Sequence, residues 1–74
     1  MATNLPKVMT YERAVQMFID HELPDIQNQY EQDGVPDTIA RREHWFNWVD
    51  WMNKNGEISD WQAANWSVPD ICNG

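Results

Sequence analysis

Apolar residues recur every three or four positions along most of this chain, and no stretch alternates apolar and polar residues as a half-buried strand does. The first helical stripe follows Thr10, a suitable N-cap for a helix that begins at Tyr11, and it continues to Tyr30. An Asp-Gly pair then ends the segment. The spacing therefore predicts helix across most of residues 10–33.

A proline interrupts this first stripe. Pro24 removes one backbone hydrogen bond from a helix and disfavours helical geometry at Leu23, the residue before it. Residues 10–33 are therefore predicted to form either one kinked helix or two helices, with Pro24 in the first turn of the second.

The second stripe predicts a longer helix that is capped by Asp37 or Thr38 and runs to about Lys54. At about 100° per residue its buried face centres on Trp45 and Met52.

Two aromatic residues of this helix lie away from that face. Phe46 and Trp51 fall on opposite flanks, so one buried stripe cannot cover both. We expect at least one of them to be exposed, unless other helices pack on two sides of the long helix.

A tight turn is predicted to follow the long helix. Gly56 can adopt the left-handed conformation that satisfies the last helix carbonyls. Ser59 and Gln62 have the spacing of a capping box, which predicts a short helix from Asp60 to about residue 66. We expect Trp61 and Trp66 to fold this helix back onto the longer one.

Together these elements predict an all-α fold, a small three- to four-helix bundle closed by a C-terminal helical hairpin. The 74 residues form a single domain, with an irregular N-terminus at 1–9 and an irregular tail at 67–74. A chain of this size buries a limited core, and five tryptophans supply much of the apolar area that it needs.

Negative charge is concentrated in one segment of the chain, whose formal net charge is −7. No Lys or Arg stands between Arg13 and Arg41, while six acidic residues do: Asp20, Glu22, Asp25, Glu31, Asp33 and Asp37. Such a face can imitate a phosphate track, or it can dock on a basic protein surface. It argues against direct binding of nucleic acid, which needs cations. The alternative is that the acids only keep a small protein soluble.

The aromatic flanks of the long helix are the second candidate interface. An exposed Phe46 or Trp51 beside Arg41 and Arg42 would be a natural anchor for a partner. The competing interpretation is a crowded aromatic core.

Catalytic, metal and cofactor chemistry is not predicted. The turn has the glycine of a calcium loop, but Trp51 and Gln62 stand where the loop needs its first ligand and its bidentate carboxylate. His21 lacks the second histidine of a zinc helix. Cys72 lies in the predicted tail without the surroundings that would make a thiol reactive.

The C-terminal half resembles small uncharacterised accessory proteins encoded in tailed-bacteriophage genomes, which end in a Trp-rich helix, a Lys-Asx-Gly-x-Ile turn and Trp-x-x-Pro. The matching residues are Trp45, Trp48, Asp50, Lys54, Asn55, Gly56, Ile58, Gln62, Trp66 and Pro69. The resemblance covers roughly residues 40 to 69. The chain differs from those proteins at Phe46 and Trp51 and in its longer tail. The resemblance implies a phage accessory gene and no particular activity.

From charge and resemblance together we expect a phage-encoded acidic binding protein that inhibits or redirects a host protein by stoichiometric contact. A defence complex, a nuclease or a polymerase would suit, and nucleic-acid mimicry is one way to bind them. The alternative is a structural protein that self-associates as a homodimer through its aromatic face. We do not expect an enzyme. Without a leader or a membrane-spanning apolar run, we expect a soluble protein in the host cytoplasm.

Overall fold

The computed structural model describes residues 9–73, which form an all-α bundle. Its elements are α1 (Tyr11–His21), α2 (Leu23–Tyr30), α3 (Thr38–Lys54), α4 (Asp60–Asn65) and a C-terminal 3₁₀ helix (Asp70–Asn73). The predicted fold class is confirmed. Of the predicted irregular N-terminus, residues 1–8 lie outside the described part, as does residue 74 of the predicted tail. No described helix is long and apolar enough to cross a bilayer.

The first stripe forms two helices rather than one kinked helix. Glu22 separates them: its N–H donates to the carbonyl of Phe18 at 2.8 Å and closes α1, and its own carbonyl accepts from the N–H of Ile26 at 3.1 Å. Pro24 lies in the first turn of α2, where its missing N–H costs little. Thr10 caps α1 as predicted, with its hydroxyl accepting from the N–H of Arg13 at 3.2 Å.

The core is built around one tryptophan of α3. Trp45 is 1% exposed, and it meets Tyr11 and Phe18 edge to face, with ring centroids 6.1 and 5.4 Å apart. Met52 is equally buried, so the predicted inner face of α3 is confirmed. Tyr11 and Phe18 bring α1 against Trp45, and α2 and the C-terminal 3₁₀ helix also pack on α3.

The turn between α3 and α4 also follows the prediction. Gly56 has a φ of 76°, and its N–H donates to the carbonyl of Asn53 at 3.0 Å. The N–H of Glu57 donates to the carbonyl of Met52 at 2.8 Å, which completes a Schellman motif. Ser59 and Gln62 form both hydrogen bonds of the predicted capping box.

The prediction that Trp61 packs on the long helix is wrong, because the side chain is 69% exposed. The Gln62 amide donates to the carbonyl of Met9 at 2.8 Å and so turns the Gln62 face of α4 inward, with Ala63 packed against the core. Trp66 is half-buried against Tyr11, with ring centroids 5.6 Å apart. Trp61 points away from that face.

The predicted irregular tail at 67–74 is wrong for residues 70–73, whereas residues 67–69 have no regular secondary structure. Residues 70–73 form a 3₁₀ helix that packs on α3, and Cys72 in its middle is fully buried. The carbonyl of Ile71 accepts a hydrogen bond from Arg41 at 2.6 Å, and Asn73 accepts one from Arg42 at 2.8 Å. These bonds cross about 30 positions of sequence, so no local pattern reveals them.

Candidate protein-binding surface

Glu31 was predicted to face a partner, and the structure shows it buried instead. Its carboxylate pairs with the guanidinium of Arg41 through two hydrogen bonds, of 2.6 Å from Nε and 2.7 Å from Nη2. The two side chains are only 5–6% exposed. The partners come from different elements, because the connection after α2 brings the end of that helix against the start of α3. Glu31 is therefore no longer a candidate contact residue.

This ion pair is charged on both sides at neutral pH. The hydrogen bonds from Arg41 hold the pKa of Glu31 below its ordinary value, and the backbone N–H of Asp37 lowers it further, against the opposing effect of burial. The same hydrogen bonds raise the pKa of Arg41. One positive and one negative charge cancel here, so the pair adds nothing to the negative field outside the protein.

Glu31 also organises the connection between α2 and α3, which we call the 31–37 loop. Its carboxylate accepts from the N–H of Asp37 at 2.9 Å, and its carbonyl accepts from the N–H of Gly34 at 3.0 Å. Asp33 accepts from the N–H of Val35 at 3.0 Å, and Asp37 caps α3 through the N–H of Ala40. The loop is therefore held in one shape by bonds at both of its ends.

The other five predicted acidic residues keep their charge at the surface. Asp20, Asp25 and Asp33 are exposed, while Glu22 and Asp37 are half-buried. Their hydrogen bonds come from uncharged groups, such as the Gln16 amide that donates to Asp20 at 2.9 Å. Within residues 9–73 none of the five forms an ion pair with Lys or Arg, and Glu22 alone lies near a histidine, at 3.8 Å from His44.

The two predicted aromatic anchors are both exposed. Phe46 is 58% exposed and Trp51 is 53% exposed, on opposite flanks of α3 as the helical step requires. Trp51 stacks on Trp48 with ring centroids 5.4 Å apart and planes 12° from parallel. Trp48 is itself held by a hydrogen bond from its indole N–H to the carbonyl of Ala14. The prediction of at least one exposed aromatic is confirmed.

Sequence reasoning missed a third exposed apolar group, beside the 31–37 loop. Tyr30, Val35 and Ile39 are 49%, 61% and 73% exposed. Two hollows lie beside them, of about 240 and 280 Å³, and Tyr30, Asp37 and Ile39 line both. Ile39 stands two helical turns before Phe46 and so on the same outward flank of α3, which is the signal that could have identified it.

The buried thiol of Cys72 is expected to be inert in the folded protein. It donates to the carbonyl of Arg41 at 3.5 Å, and burial raises its pKa even though Arg41 and Arg42 oppose the rise. Reaction with a thiol reagent at neutral pH should be at least about a hundredfold slower without denaturant than in urea. Ready labelling of the native protein would contradict this placement.

Metal-binding groups are not brought together by the described residues, which contain no cluster of three or more His, Cys, Asp or Glu side chains suited to an ion. Carboxylates and exposed apolar side chains meet beside the 31–37 loop, where Asp33 and Asp37 line the same hollow as Tyr30, Val35 and Ile39. Comparison with protein families, with curated proteins and with solved structures finds no match to this chain.

Proposed function

We propose that this chain is an acidic binding protein that acts by stoichiometric contact with a basic protein surface. The observation that carries the proposal is that five carboxylates of the segment formed by the end of α1, α2 and the 31–37 loop make no ion pair with Lys or Arg among residues 9–73. We call this segment the acidic edge. Five carboxylates remain at this edge, and Arg41, the cation that begins the next basic stretch of sequence, is turned inward onto Glu31. A one-signed edge of this kind accelerates encounter with an oppositely charged partner.

The phage resemblance gives this proposal its biological setting. A phage accessory protein of this class would meet a host protein in the bacterial cytoplasm, and it would inhibit or redirect a defence complex, a nuclease or a polymerase. Members of these classes that bind nucleic acid contact its phosphates with basic surfaces, so a negative edge can occupy the place of the phosphates. In that case duplex DNA and this protein compete for the same partner.

Charge reversal at the acidic edge tests the proposal. The double variant Asp20→Lys and Asp25→Lys changes two exposed side chains that cap no helix and pair with no cation among residues 9–73. The tagged wild type should capture a partner from a bacterial lysate at low salt and release it at high salt. The variant should then associate with that purified partner about tenfold more slowly.

A matched control changes the same amount of charge elsewhere. Glu12→Lys and Glu57→Lys reverse two exposed carboxylates, at the start of α1 and after α3. This control should keep the wild-type association rate within about twofold if the acidic edge is what steers the encounter. Equal slowing by both variants, or capture that high salt does not release, would reject the proposal.

Self-association through exposed aromatic side chains is the second candidate. The observation that favours it is the exposure of three aromatic side chains, Phe46, Trp51 and Trp61. Exposed aromatics of this size are common anchors in protein interfaces. Sedimentation at micromolar concentration separates the two candidates, because a homodimer seam gives a stable dimer that Trp51→Ala dissociates, whereas an acidic binding protein sediments as a monomer.

A further inference from the structure

The exposed apolar group beside the 31–37 loop forms one continuous surface, which we call the α2–α3 corner and define by Tyr30, Val35 and Ile39. Its two hollows share Tyr30, Asp37 and Ile39, so they adjoin. Three exposed large apolar side chains that line adjoining hollows form a contiguous patch, and contiguous apolar patches are typical of interaction sites. A partner that covered these side chains would remove their apolar surface from water, which is favourable.

Carboxylates stand around both hollows. Glu43 and Asp37 line the first hollow, and Asp33 and Asp37 line the second. Among residues 9–73 no Lys or Arg lines either hollow, and Arg41 is turned away into its bonds with Glu31 and the 3₁₀ helix. The corner therefore combines apolar walls with negative rims, and it complements a side chain that has an apolar stem and a positive head.

The size of the hollows limits the kind of ligand that can fit. Volumes of about 240 and 280 Å³ are smaller than most pockets for cofactors and drug-sized ligands, which run from about 300 to 1,000 Å³. Each suits one long side chain of a partner. Tyr30 lines both hollows, and its ring meets His44 edge to face with centroids 5.9 Å apart. The face of an aromatic ring attracts a cation.

We propose that the α2–α3 corner receives arginine side chains of a basic protein partner. This inference rests on the proposed function and locates its contact. The arginine stem packs on Tyr30 and Ile39, and the guanidinium pairs with Asp37 and Glu43. Arginine is preferred to lysine because its planar, weakly hydrated head binds carboxylates through two hydrogen bonds and stacks on an aromatic ring.

Internal hydrogen bonds keep the corner in a single conformation before any partner binds. Glu31 fixes the 31–37 loop through Asp37 and Gly34, and Asp33 holds the N–H of Val35. A loop that is already ordered loses little conformational entropy on binding. Glu31 is thus a positioning residue for the corner, although it does not face the partner.

Titration of the ¹⁵N-labelled protein with acetyl-Arg-Leu-Arg-amide at low salt tests the assignment. Backbone shift changes should concentrate at Tyr30, the 31–37 loop, Ile39, Glu43 and His44, with affinity in the millimolar range. The same peptide with citrulline in place of arginine keeps the shape without the charge, and it should give no saturable change. A lysine peptide should bind about threefold more weakly than the arginine peptide.

A paired variant supplies the second arm. Tyr30→Leu with Glu43→Gln removes the ring and one carboxylate while keeping side-chain bulk, and should weaken peptide binding about tenfold. Glu57→Gln removes one charge at the α3–α4 turn and should stay within about twofold of the wild type. Circular dichroism confirms that each variant is folded.

Three results would overturn the assignment. The first is shift changes that spread over the whole acidic edge, and the second is equal binding of the citrulline or lysine peptide. The third is full binding by the paired variant. The proposed function fails separately. If the lysate partner is lost on reversal of Asp20 and Asp25 but is held normally by the paired variant, the acidic edge is the contact and the α2–α3 corner is not.

Discussion

Replacement of Arg41 by methionine is expected to lower the melting temperature by roughly 15 °C or more. Arg41 donates to both oxygens of Glu31 and to the carbonyl of Ile71, and all of these groups lie in the interior or at its edge. Methionine fills part of the same space but leaves the buried carboxylate of Glu31 without its cation, which is strongly destabilising. Thermal unfolding followed by circular dichroism at neutral pH measures the change.

A second substitution separates the burial of charge from the loss of packing. The double variant Arg41→Met and Glu31→Met removes both charges, and apolar replacements for a buried ion pair are often tolerated. It should recover much of the lost melting temperature, short of the full amount because Asp37 loses the acceptor of its N–H. If Arg41→Met alone melts within a few degrees of the wild type, that result contradicts the burial of the Glu31–Arg41 ion pair.

The same pair predicts a pH dependence of stability. The folded pKa of Glu31 lies below its ordinary value of 4.5, so the folded state favours the ionised form. The stability that the ionised Glu31 carboxylate contributes is complete above pH 4.5, and it is lost as the pH falls through the lower folded pKa. Glu31→Gln has no such titration. Its melting temperature should be lower at neutral pH, and should fall less than that of the wild type on acidification.

Replacement of Trp45 by alanine is expected to cost about 3–5 kcal/mol of unfolding free energy. Domains of this length have a total of about 4–11 kcal/mol, so much of the protein should unfold. Trp45 is 1% exposed and packs on Tyr11 and Phe18, which stand two turns apart on α1. Its loss therefore opens a cavity between α1 and α3. Urea unfolding measures the free energy.

Trp61→Ala is the matched control, since it deletes the same side chain from a site that is 69% exposed. Its cost should stay within about 0.5 kcal/mol, as for surface substitutions generally. Similar costs for the two variants would mean that the core is centred elsewhere.

Helix ends could be predicted from sequence because their hydrogen bonds close within a few residues. Thr10 bonds three positions ahead, and Ser59 with Gln62 does the same. Gly56 adopts the left-handed conformation expected of it. In each case the donor and the acceptor belong to the same turn, so the identity of neighbouring residues decides the geometry whatever packs around them.

The candidate surface could be predicted only in part. The helical step was enough to identify Phe46 and Trp51 as flank residues, because it fixes direction relative to Trp45. Glu31 looked like its acidic neighbours, and nothing within a few residues distinguishes a carboxylate that will be buried from one that will not. Tyr30 was assigned to the apolar stripe, although it ends α2 beyond the reach of the core and is half exposed.

The sequence by itself determined the helical segments, the caps at Thr10 and Ser59, the glycine turn, the inner face of α3 and the sign of the surface charge. All of these depend on contacts within a turn or on composition. Only the tertiary structure decided that Glu31 joins Arg41, that the last residues pack as a 3₁₀ helix, and that Trp61 stays outside. Those outcomes depend on groups separated by ten to more than fifty positions, which meet only once the helices have packed.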